Sequence, residues 1–233
     1  MKLLLLPLSS VGLVAARSTT TPPPGLTYLG TYTIQANDTL ASISVSVGRG
    51  VCALARANRM ADVELMPRVG MEMLVPANDS IVNDTSCLLK EPTSTLPCIY
   101  GGPHVYTVVA GDTLAKVAKK LNLDVSALGN STGPPPPGAS SSSSPSVSVD
   151  TPLQVGRGLK IPQCSPSACQ VQPYRFVYGT YVDLAASFNT TVGQILAFNP
   201  TYSFSAATDV DKAPVITLPN NCRPLSTNIT VIS

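Results

Sequence analysis

An α+β fold of three small βααβ units joined by disulfide-bearing linkers is what this sequence predicts, on three observations. One order of features recurs three times: an alternating strand pattern, a turn, two short helical patterns, then a strand ending in proline. Six cysteines lie within and between these repeats. The supply of large rings, no tryptophan and four phenylalanines in 233 residues, is thin for one large core. Several small stapled cores fit better.

The chain opens with Lys2, an apolar stretch from Leu3 to Val14, and the small residues Ala15 and Ala16. That pattern predicts a cleaved secretion signal over residues 1–16. The stretch is too short and interrupted to span a bilayer, and nothing later reads as a membrane span or a lipid-anchor signal. The expected location is secreted, extracellular or cell-wall associated. Residues 17–27 form a Thr/Pro-rich flexible segment.

The first unit, residues 28–77, starts with Tyr32, Thr33 and Ile34 and turns at Asn37, Asp38 and Thr39. Leu40, Ile43 and Val47 mark one helix; Val51, Leu54 and Ala55 mark the next, ending near Asn58. Met73, Leu74, Val75 and Pro76 close the unit, since proline cannot donate to a strand ladder. A linker covers residues 78–103.

The second unit, residues 104–163, has the strand Tyr106, Thr107, Val108 and the turn Gly111, Asp112, Thr113. Asp or Thr oxygens there suit helix capping. Leu114, Val117, Ala118 and Leu121 recur as one helical face, and Leu159, Lys160, Ile161 and Pro162 form the closing strand. A Pro/Ser-rich insertion at about residues 133–150 has the composition of a mobile loop.

After a linker at residues 164–172, the third unit covers residues 173–220. Tyr174, Arg175 and Phe176 precede the turn at Gly179, Thr180 and Tyr181. Leu184, Ala185 and Phe188 face inward from one helix; Val192, Ile195 and Leu196 do so from the other, which stops at Asn199 and Pro200. Ile216, Thr217, Leu218 and Pro219 end the unit, leaving a tail at residues 221–233.

Gly111, Asp112, Thr113 and Leu114 after Tyr106, Thr107 and Val108, with Val155 to Pro162 at the end, resemble a LysM domain. The chain over about residues 28–222 resembles the fungal secreted LysM effectors with three such modules. Asn37 stands where that family usually has glycine, and the third unit passes from Gly179 straight to Thr180 without the aspartate.

Cys52, Cys87, Cys98, Cys164, Cys169 and Cys222 make an even count in an exported chain, which predicts disulfides. Fifteen pairings are open to six cysteines. Antiparallel first and last strands bring a module's two ends together, favouring Cys98 with Cys164 and Cys169 with Cys222. Cys52 then pairs with Cys87; a Cys164–Cys169 bridge is the alternative that sinks this scheme. No metal and no cofactor is expected, because His104 is the one histidine and no second close cysteine pair exists.

The resemblance implies a shallow groove for N-acetylglucosamine chains, between the loop before the first helix and the loop after the second. Mapped residue by residue, the implied chitin-binding positions are Asn37, Asp38, Thr39, Leu40, Met60, Ala61 and Asp62 in the first module. In the second they are Gly111, Asp112, Thr113 and Leu114, with the opposite wall unassigned. In the third they are Gly179, Thr180, Tyr181, Thr201 and Tyr202, where Tyr181, Tyr202 and Phe204 offer rings. The plainer reading of Asp38, Asp112, Thr39 and Thr113 is helix capping, and of Tyr32, Tyr106 and Tyr174 strand packing. Asp183 and Glu64 read as solvated.

Asn-X-Ser/Thr triplets at Asn37, Asn78, Asn83, Asn130, Asn189 and Asn228 predict N-glycosylation. A glycan on Asn37 would stand in the first groove. The expected partners are chitin and N-acetylglucosamine oligosaccharides, with ligand-induced self-association and with the first and third modules cooperating on one chain of sugar. A net charge of +2 gives no reason to expect nucleic acid or a membrane surface. The implied function is a non-catalytic effector that sequesters chitin fragments or shields fungal walls. The alternative is a structural wall protein binding the organism's own chitin or another N-acetylglucosamine-containing glycan. An enzyme has little support, since no Gly-x-Ser-x-Gly elbow or hydrolase-like carboxylate pair is present.

Overall fold

The computed structural model describes residues 27–77, 83–102, 105–131, 148–206 and 210–232. The expected signal segment, most of the Pro/Ser-rich insertion, Asn78 and His104 lie outside the described residues. Three βααβ units follow one another, each with its outer strands paired antiparallel and its helix pair packed beside them.

The first unit comprises β1 (Tyr28–Thr33), α1 (Leu40–Val47), α2 (Val51–Ala57) and β2 (Glu72–Pro76). Leu40, Ile43, Leu54, Met60 and Met73 fill its core. Gly48 ends α1 in the left-handed conformation, at φ 62°, where a Cβ would be strained. Asn58 then bridges the unit internally: its side chain donates to the Leu54 and Leu74 carbonyls and accepts from the Leu74 amide. Asn199 makes the same three bonds in the third unit, to Ile195 and Thr217.

Beyond a short strand β3 (Ile99–Tyr100), the second unit comprises β4 (Val105–Thr107), α3 (Leu114–Leu121), α4 (Val125–Ser131) and β5 (Gly158–Lys160). The strand β6 (Gln163–Ser165) follows, then the third unit: β7 (Ser167–Arg175), α5 (Tyr181–Ser187), α6 (Val192–Phe198) and β8 (Val215–Pro224). The linkers are more ordered than their composition indicates. β3 pairs with β6 in parallel, and β9 (Thr230–Ile232), within the expected tail, adds to the other edge of β6.

All six cysteines are bonded: Cys52 to Cys87, Cys98 to Cys164, and Cys169 to Cys222. Each unit has its own core, yet none is closed without a neighbour. Ala61 of the first unit lies in the third unit's core, and Phe204 of the third packs on the first. Ala197 and Leu196 of α6 pack on the second core. That last approach needs Gly193, because a Cβ there would collide with the backbone carbonyl of Leu121.

Candidate binding site

The turn before each first helix is built the same way. A left-handed residue starts it: Asn37 (φ 67°), Gly111 (φ 84°) or Gly179 (φ 108°). Asparagine tolerates this conformation better than most residues with a Cβ, which explains the exchange in the first unit. The threonines are the caps: Thr39, Thr113 and Thr180 accept from the amides of Ser42, Lys116 and Asp183. Asp38 and Asp112 do not cap. They brace the turn, accepting from the Gln35 and Val109 amides and from the hydroxyls of Tyr32 and Tyr106. In the third unit, which lacks that aspartate, Asp183 completes a capping box with Thr180 instead.

The structure separates the sequence-predicted site residues into exposed and covered ones. In the first unit Asn37 and Thr39 are exposed and Asp38 is half-buried, while Leu40 belongs to the core. Met60, Ala61 and Asp62 on the facing loop are buried at 0%, 3% and 7% exposure. Gly179, Thr180 and Tyr181 are buried as well, Thr201 is exposed and Tyr202 half-buried. Tyr181 therefore offers no ring to a ligand; it stacks on Tyr202 with centroids 5.8 Å apart inside the third unit. In the second unit Gly111 is exposed, whereas Asp112, Thr113 and Leu114 are buried.

Leu40, Met60, Leu114 and Tyr181 belong to the cores of their own units, whereas Ala61 and Gly179 are covered by a seam between the first and third units. The Gly179 amide donates to the Arg56 carbonyl (3.0 Å), the Ala61 amide to the Ser203 carbonyl (3.0 Å), and the Tyr202 hydroxyl to the Arg59 carbonyl (2.7 Å). Arg56 reaches Asp183 of the third unit at 2.9 Å and also pairs with Asp84 of the linker. The hydroxyl and amide of Ser86, then Arg56, hold the Asp84 carboxyl down at about 2. Asp183 is thus an ion-pair partner rather than a simply solvated acid; Glu64 is exposed as expected. A second seam joins the first and second units. Lys120 Nζ lies 2.8 Å from Asp62 and 2.9 Å from Asp112, all three side chains being buried.

One open region lies beside the first unit. A cleft of about 1130 Å³ is lined by Thr39, Leu40 and Ala41 together with Val63, Glu64 and Met66. Asn83, Asp84, Thr85 and Leu88 of the linker form part of its wall. Val63, Glu64, Leu88 and Lys116 also line an adjoining cavity of about 370 Å³, which reaches Ala115 of the second unit and Val182 of the third. The lining mixes aliphatic surface with a few charged groups, the combination suited to a ligand with apolar faces and many hydroxyls. The linker's share was not readable in advance, because residues 84–89 carry no periodic signal. Among the described residues no cluster of three or more metal-ligating side chains occurs.

The LysM domain family model matches residues 32–76 and 106–130; the third unit lies outside that match. Over 202 residues the chain is 40% identical to the secreted LysM effector LysM13 of Penicillium expansum, an alignment covering 86% of this chain and 82% of that protein. It is 30% identical over 202 residues to the secreted LysM effector ECP6 of Passalora fulva, with 85% and 81% covered. Among solved structures it is similar to the spore cortex-lytic enzyme SleL of Bacillus megaterium QM B1551, 27% identical over 59% of this chain and 23% of that one, at a TM-score of 0.20.

Proposed function

Since this chain belongs to the secreted LysM effectors, extracellular binding proteins and not enzymes, we propose that it captures chitin and N-acetylglucosamine oligosaccharides. By doing so it sequesters chitin fragments or shields fungal walls. The third repeat serves as a LysM module like the other two, because its threonine-capped turn matches both and its bridging asparagine matches that of the first.

The observation that carries this reading is the open cleft against the α1 turn. Exposed Thr39 and Ala41 line it together with partly buried Val63 and Met66, so polar and aliphatic surface are offered together. The adjoining cavity carries the same path to Val182, so one oligosaccharide lying along it touches the first and third modules at once. Incubation with insoluble chitin, cellulose, xylan and peptidoglycan tests the ligand class. Capture by chitin is expected, and a protein left in the supernatant with chitin overturns the reading. Coupling two weak sites on one chain raises avidity by about 10²–10⁴. Titration with chitohexaose should therefore show the intact protein binding at least about 100-fold more tightly than a variant carrying V182E, whose carboxylate blocks the path at the third module. Equal affinities dismiss the shared site.

Asn37 is exposed and lies two residues before Thr39 of the cleft lining. A glycan there narrows the entrance, so N37Q protein secreted from a eukaryotic host is expected to bind chitohexaose several-fold more tightly than wild type. Mass spectrometry of the wild-type peptide checks the premise, and an unmodified Asn37 rules it out.

A further inference from the structure

The turn that opens the first module's cleft is covered in the second module by the chain's own backbone. The Ala115 amide, in the first turn of α3, donates to the Val149 carbonyl at 3.0 Å. The Leu153 amide donates to the Asp112 carbonyl at 2.8 Å, and Thr113 forms an antiparallel bridge with Pro152. A tight turn, Thr151 amide to Ser148 carbonyl at 2.9 Å, shapes the covering segment, and Leu153 anchors it against the second core.

The contrast with the first module is direct. Thr39 and Ala41 are exposed and line the large cleft. Their counterparts Thr113 and Ala115 are buried and half-buried. From its other side the same turn is fixed by the Lys120 contact to Asp112, which ties it to Asp62 of the first module.

We infer that the ligand of the second module's sugar-facing turn is residues 148–153 of this same chain, so that this module acts as a scaffold and does not add a sugar site of its own. The inference rests on the chitin reading above and refines it. A carbonyl already occupies this first-turn amide, and the Asp112 carbonyl is engaged as well, so neither is free for a sugar's polar groups. One oligosaccharide per chain then follows, borne by the first and third modules. A protein with a single such site cannot cross-link chitin oligomers through independent modules.

Amide hydrogen exchange and an NMR titration with chitohexaose, both on the intact disulfide-bonded chain, test this. The Ala115 and Leu153 amides are expected to exchange slowly in the free protein and to stay as protected at saturation, with the Leu153 resonance unmoved, while the Ala41 amide shifts. Rapid exchange at Ala115 and Leu153 without ligand, or a shift of Leu153 matching that of Ala41, overturns the inference. Silence at all three amides overturns the chitin reading and this inference with it, a pattern distinct from either. L153P deletes the amide given to Asp112. If that variant keeps its fold, a second binding event should appear in calorimetry, and an unchanged stoichiometry counts against the covering role. If it does not fold, the wild-type exchange data decide.

Discussion

Replacing Lys120 by methionine is expected to destabilise the folded protein by about 3–5 kcal/mol, the cost typical of leaving buried charges without their partner. Asp62 and Asp112 converge on this one ammonium at 2.8 and 2.9 Å, at 7% and 1% exposure. Methionine keeps the packing volume and removes the charge, so the two carboxylates face each other in a dry seam. Denaturant unfolding under non-reducing conditions measures the loss, and a cost under about 1 kcal/mol contradicts the argument. Adding D62N and D112N to the same chain should recover a large part of it.

The pH dependence has a definite sign. Burial alone would lower the Lys120 pKa, but Asp62, with Tyr106 and Asp112, raises it above the ordinary lysine value. A raised cation contributes its full stabilisation below the unfolded value of about 10.4 and loses it only as pH climbs through the folded one. The Lys120 contribution is therefore flat across neutral pH and is lost in strong alkali.

Removing the Cys52–Cys87 bridge with C52A/C87A is expected to cost about 2–4 kcal/mol and, in addition, to weaken chitohexaose binding. Both sulfurs are buried, and the bridge spans a sequence separation of 35. Residues 84–89 have no helix or strand to hold them. They are pinned by this bridge and by Arg56, and Asp84, Leu88 and Leu89 contribute walls to the two connected cavities. C98A/C164A serves as the comparison, since it loosens the second module's ends and leaves this segment tied. Affinity measured well below both unfolding midpoints should fall for C52A/C87A and hold for C98A/C164A. Equal affinities would place the ligand elsewhere.

Helices, outer strands and cysteine pairs were legible because each depends on neighbours close in sequence or on the ends of one small unit. The face Leu114, Val117, Ala118 and Leu121 is a local pattern, and α3 follows it. The threonine caps were half legible: a threonine three positions before Ser42, Asp183 or Gln194 marks a capping box, but the neighbouring aspartates drew the same reading. The seams were not legible. Nothing in the spacing of Arg56, Asp84 and Asp183 says that they meet, because the meeting depends on how three units pack. The covering of Gly179, whose amide meets the Arg56 carbonyl, follows from the same packing and could not be read from the repeat. The order of the linkers was missed for a related reason, as β6 finds its partners in β3 and β9, far along the chain.

The Arg56 guanidinium has a consequence for how this sequence can drift. Its planar fork addresses carboxylates from two directions, Asp84 on one side and Asp183 on the other, with Ser86 beside them. A lysine is a single compact charge and cannot reproduce the two-nitrogen contact to Asp183 together with those to Asp84 and Ser86. Three stretches of chain are thereby bound to one codon, and a change in any of them alters the selective value of the rest.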